Sequence, residues 1–226
     1  MALALSLCWP AAHAADIPWI WHSSDAPAQA QEMAVLLDHL QLSGDGIEIR
    51  LRKKMLLVDP ATRVTPVVHV QSDAKNMPRL GSRQTEAIAR AVLAASLRST
   101  SGWVQLDFEA LESQRDYYVR LVSTLRSRIA PSIKLSVTVM AGWCAHQGLL
   151  AQLRADEVVP MFFHMGPQAD AYRARLQRTP EQFDPRCRQQ AAGFAVQEEP
   201  ALEVQRRYER RYWFNYQAWN NFSMGE

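Results

Sequence analysis

The chain alternates short β-branched or aromatic runs with segments of helical periodicity almost from end to end, and that alternation leaves few folds open. Parallel strands need a crossover, usually a helix, so the repeat points to an α/β protein with a mainly parallel sheet. Strands are expected at Ile17–His22, Ile47–Leu51, Thr65–Gln71, Trp103–Glu109, Lys134–Met140, Val158–His164, Gly193–Gln197 and Tyr212–Tyr216. Between them, Pro27–Leu42 carries Met33, Leu36, Leu37 and Leu40 at helical spacing. Ser82–Leu97, Leu111–Ile129, Leu149–Arg154 and Ala169–Gln177 also read as helices. Eight strand units predict a (β/α)8 TIM-barrel-like fold, and the weaker strand signals after Pro180 leave a short or incomplete barrel open. A doubly wound open sheet is the rival; the chain has no GxGxxG or GxxxxGK[ST] loop, which disfavours its nucleotide-binding forms.

No repeat, low-complexity run or linker divides the chain, so residues 15–226 are expected to form one domain. Residues 1–14 read as a signal peptide: the stretch is apolar, has no acid, Lys or Arg, and ends in Ala12-His13-Ala14, a small-x-small cleavage pattern. The usual positive start of such a leader is missing. Export to the periplasm or beyond is the expectation, and no run of about 20 apolar residues predicts a membrane span. A net charge of +2 gives no reason to expect a nucleic-acid partner. With Cys8 in the leader, Cys144 and Cys187 remain, either as a disulfide or as two separate buried thiols. There is no CxxC and no HExxH, so no cofactor or metal is called for, and nothing sets the oligomeric state.

The chemistry concentrates at the ends of the strands, where barrels place their active sites. In Trp103–Glu109, the residues Gln105, Asp107 and Glu109 share a face, with the two acids about 6.6 Å apart along the strand. Two carboxylates at the end of an apolar strand are costly to bury unless they are paired or used. Paired, they meet an arginine such as Arg50 or Arg52; used, one holds its proton because its neighbour is charged. Other strand ends carry Trp21 and His22, His69 and Gln71, Gly142 and Trp143, Phe163 and His164, and Asn215, Tyr216 and Trp219. Rings beside carboxylates suit sugars, whose C–H faces pack on aromatics and whose hydroxyls bond to acids, amides and imidazoles. The same mix also fills many other pockets.

Val104–Glu109, Leu135–Thr138 and Pro160–His164 resemble the bacterial family called domain of unknown function 3142, closely over the middle third and by pattern beyond it. That family looks like a distant relative of glycosidase barrels. Against the DxxDxDxE strand of glycoside hydrolase family 18, Glu109 matches the general acid. Asp107 matches the acid that helps the substrate acetamide act as nucleophile. Gly102 and Gln105 stand where that family has its other two acids, and Phe163 and His164 replace the Tyr and Asp of its Met-x-Tyr-Asp strand. The resemblance implies a glycoside hydrolase-like protein with a carbohydrate ligand. Asp107 and Glu109 would be catalytic, and Gln105, Trp21, His22, Trp143, His164, Tyr216 and Trp219 would bind substrate. The departures keep open a non-catalytic carbohydrate-binding barrel. A metal-dependent hydrolase using His22, His69 or His164 with Asp107 is a third reading. With no GxSxG elbow, a serine hydrolase has no support.

Overall fold

The computed structural model describes residues 14–21, 27, 29–53, 58–217 and 219. Strand β1 (Ala15–Ile20) pairs in parallel both with β2 (Glu32–Ser43) and with the last strand, β9 (Arg210–Phe214), and this double pairing closes the sheet. Around the ring follow β4 (Arg63–Ser72), β5 (Trp103–Phe108), β6 (Lys134–Met140), β7 (Glu157–Met161) and β8 (Ala191–Ala195), all parallel. The result is a closed eight-stranded parallel barrel of the (β/α)8 type. The barrel is complete as a sheet; its helical jacket, among the described residues, is not.

Helices α1 (Ser82–Ser96) and α2 (Arg115–Arg128) follow β4 and β5, α3 (Ala169–Arg178) follows β7, and the single turn α4 (Leu202–Gln205) follows β8. Outward residues such as Val68, Val70, Leu106, Val137 and Val158 form one buried layer with Ile88, Val92, Leu121 and Leu125 of the helices. Among the described residues no helix follows β1 or β2. The β2–β4 connection instead folds back as β3 (Gly46–Leu51), an antiparallel strand on the outer side of β2.

Two expectations are corrected here. Pro27–Leu42 is not a helix: residues 32–43 form the second barrel strand, and Ile47–Leu51 is its hairpin partner, outside the barrel. The reason is a bulge. Pairing with β4 jumps from Leu36↔Val67 to Asp38↔Val68, so Leu37 is an extra residue. Before it, Ala34 and Leu36 face inward; after it His39 does, packed against His69. A strand buried on both faces, with its phase reset midway, mimics helical spacing.

The barrel interior is unusually polar. Near its N-terminal end Arg210 forms ion pairs with Glu32 at 2.7 Å and Glu157 at 2.8 Å, both acids being buried. Tyr212 and Ser136 donate to Glu157 as well, and the Arg210 guanidinium lies 4.6 Å from the Trp103 ring. Above this cluster the Trp19 ring fills the barrel axis against β8. A Cβ at position 193 would sit 3.0 Å from that ring, which is why the strand carries Gly193 there.

Cys144 and Cys187 are joined as a disulfide across 43 residues, tying the turn after β6 to the turn before β8. Removing both cysteines is expected to cost about 4 kcal/mol, since the bond restrains a long loop in the unfolded chain. Arg210→Leu is expected to cost roughly 3–5 kcal/mol, because among the described residues it leaves the buried Glu157 without a cation and Glu32 with Arg63 alone. Arg79→Leu, which breaks only the exposed pair with Asp45, should change stability by under about 0.5 kcal/mol. Urea unfolding measures all three.

Candidate active site

Strand β5 rises through the barrel wall with Gln105 and Asp107 facing inward, and the chain leaves the sheet at Glu109, whose amide still bonds Val70 at 3.1 Å. Glu109 emerges into a cavity of about 560 Å³ over the C-terminal ends of β4 to β7. Trp143, Met161, Phe163, His164 and Tyr172 share its wall, with Gln71 on the β4 side. Burial in this wall raises the Glu109 carboxyl above the usual range. Asp107 adds to the rise, and His69 and His164 oppose it.

Asp107 lies deeper and is 4% exposed. One carboxylate oxygen meets His69 Nδ1 at 2.9 Å, and the other accepts the Thr138 hydroxyl at 2.7 Å. His69 is walled by Trp21, 4.5 Å between ring centres, and by His39 at 4.9 Å. Burial disfavours the charged imidazolium, but Asp107 and the more distant Glu109 outweigh it, so the His69 pKa is raised. Neither Arg50 nor Arg52 reaches these acids. Arg50 pairs with Glu48, and Arg52 donates to the carbonyls of Ile20, Trp21 and Leu36, clipping β1 to the bulged part of β2.

The other expected residues divide. Gln105 is fully buried, accepts from the Trp19 indole at 2.7 Å and donates to Ser136 at 3.0 Å, and so forms part of the barrel filling. Trp21 lines a smaller cavity of about 300 Å³ on the β2–β3 side. Trp219 is buried, with its indole N–H aimed at the Trp19 carbonyl 3.3 Å away. His22 lies outside the described residues. Trp143 borders the cavity but is only 3% exposed, its ring held edge-on by Tyr118. His164 and Tyr216 do come together as a rim. Their rings stack 4.6 Å apart at 7°, and His164 has φ +51°, a left-handed conformation uncommon for a residue with a Cβ.

Sequence reasoning missed what holds this rim. The Glu198 carboxylate accepts from the Tyr216 hydroxyl at 2.7 Å, the His164 amide at 3.3 Å and Arg173 at 2.6 Å. One acid thus fixes two stacked rings and an unusual backbone. Glu198 sits in a short turn with no motif around it, so no local pattern could have flagged it. Thr138 was legible in principle, as an inward position of β6 one strand from Asp107.

No protein-family model matches the chain, and no curated protein does, so the resemblance to domain of unknown function 3142 has no family model behind it. Solved structures do match. The Bacillus cereus spore cortex-lytic enzyme SleL aligns over 81% of this chain at 15% identity, with a TM-score of 0.52. The likeness is one of fold. The chain spans about half of that enzyme, 51% of its length. A glycoside hydrolase family 18 chitinase from Chromobacterium violaceum aligns over 90% of this chain and 79% of its own, at 12% identity and a TM-score of 0.47.

The charges around Glu109 make a signed prediction. Its carboxyl should titrate above the ordinary glutamate value of about 4.3. In His69→Gln it should titrate higher still, because the positive charge opposing the rise is gone. Carbon-13 NMR of the carboxyl measures both, and a lower value in the variant would contradict the assignment.

Proposed function

We propose that the protein is a glycoside hydrolase-like enzyme acting on an envelope or extracellular polysaccharide, with Glu109 as general acid. The observation that carries this is the position of Glu109: the only carboxylate at a barrel strand end that reaches the cavity among described residues while its pKa is raised by burial. A carboxyl that holds its proton more tightly than an ordinary glutamate can deliver it to a glycosidic oxygen as the C–O bond breaks. The resulting carboxylate can then take a proton from the water that attacks the anomeric carbon. His164 and Tyr216 offer a stacked rim for a sugar ring, and Asp107 sits below to stabilise charge. The disulfide fits a protein folded in an oxidising compartment, in line with the exported start read from residues 1–14.

A second reading has its own support. Asp107 has both oxygens engaged by His69 and Thr138, Gln105 is engaged inside the barrel, and Phe163 lacks the hydroxyl its family counterpart carries. A barrel that binds glycan without cleaving it fits those facts.

Glu109→Gln separates the two. For the enzyme, turnover falls by at least about a hundredfold with ligand affinity retained, since one positioned acid contributes about 10²–10⁴-fold. Reducing-end release over a panel of envelope glycans, with affinity by calorimetry, provides the readout. Equal release by both proteins eliminates the role of Glu109. Capture with no release by wild type supports the binder.

A further inference from the structure

Among the described residues every methionine except Met33 borders the Glu109 cavity. Met77 comes from the loop between β4 and α1, Met140 ends β6, Met161 ends β7 and Met165 follows it. Three separate connections thus converge on one chemistry, and the sheet register sets Met140 directly opposite Met161. Methionine commonly fills gaps in a core, as Met33 does here at 2% exposure. The cavity group does not all do so: Met77 is 43% exposed and Met140 42%, with Leu111 open beside them. Several large apolar side chains left facing one hollow mark a surface that is covered when a ligand binds.

The shape of this apolar surface says what covers it. A pyranose packs on a flat indole, and the cavity's Trp143 has its ring buried. Thioethers are unbranched, flexible and polarizable, and they suit a flexible hydrocarbon better than a rigid ring. The polar groups of the same cavity, Gln71, Glu109, His164 and Gln168, suit hydroxyls. We infer that the ligand is a sugar bearing a linear alkyl or acyl chain, its hydroxylated end at Glu109 and His164 and its chain across Met77, Met140, Met161 and Met165. This inference rests on the carbohydrate reading of the cavity and names the class of substrate.

The test uses the full chain with carbon-13 methionine methyls, assigned by single Met→Leu variants. The probes are octyl β-D-glucopyranoside below its micellar concentration, methyl β-D-glucopyranoside, methyl N-acetyl-β-D-glucosaminide and 1-octanol. Octyl glucoside should shift the methyls of Met77, Met140, Met161 and Met165 but not Met33. It should bind at least tenfold tighter than either methyl glycoside, and tighter than octanol. Met77→Gln and Met140→Gln, at exposed positions that folding does not depend on, should shrink the octyl-to-methyl ratio severalfold. Equal binding of the N-acetylglucosaminide would make the apolar wall an acetamide pocket. Equal binding of octanol would remove the sugar from the recognition, and unshifted methionines would remove the site. Each of these overturns the inference. Glu109→Gln should still bind octyl glucoside, so a protein that binds it and cleaves nothing loses the enzymatic reading while keeping this one.

Discussion

Closing eight strands on themselves removes every edge but creates an interior that side chains must fill, and here much of the filling is ionic. Arg210 sits between Glu32 and Glu157 on strands that are far apart in sequence and nearly opposite in the ring. Among the described residues Glu157 has no other cation and Glu32 shares only Arg63 besides, and a buried charge without a partner is far costlier than an unfilled void. Arg210 also lies on β9, the strand that pairs with β1 to complete the barrel. The same contact therefore neutralises the interior and fixes the register of the last strand. With that floor in place, Trp19 can occupy the axis over Gly193, and Gln105 and Asp107 have a rigid layer beneath them.

That rigidity explains the state of Asp107. Here Gln105 occupies the neighbouring position and is committed to Trp19 and Ser136. Asp107 instead pairs across strands with His69, with Thr138 on its other side. His69 pulls the Glu109 carboxyl downward in pKa while burial and Asp107 push it up. The balance still favours a raised carboxyl. The dyad is thus an electrostatic support under Glu109 rather than a second group exposed to the cavity.

Seven of the eight barrel strands, their parallel order and the acid-tipped strand were legible, because period-two runs such as Lys134–Met140 and flanking helices such as Ser82–Ser96 obey local rules. What escaped was set by tertiary context. β2 reads as a helix because Leu37 is a bulge residue and both faces of the strand are buried, and neither property shows in a window of apolar positions. Trp143 and Trp219 looked like sugar platforms since tryptophan composition carries no information on which way an indole turns. Glu198 was invisible because its three partners are His164 and Arg173 from the β7–β8 connection and Tyr216 from the segment after β9.

The molecule is consequently lopsided in a way that bears on its chemistry. From β4 to β7 the connections are long enough to build a wall, and the disulfide fastens the turn holding Trp143 to the stretch before β8. From β1 to β3 the connections are short or fold back as a hairpin, and among the described residues no helix stands over them. In the proposed function, the fixed elements, Glu109 on its strand and the Glu198-held rings, are what would position a sugar. The flexible thioethers set only what kind of substituent may lie beside it. On that proposal, position would come from the ionic barrel, and selectivity from side chains the barrel leaves free to adapt.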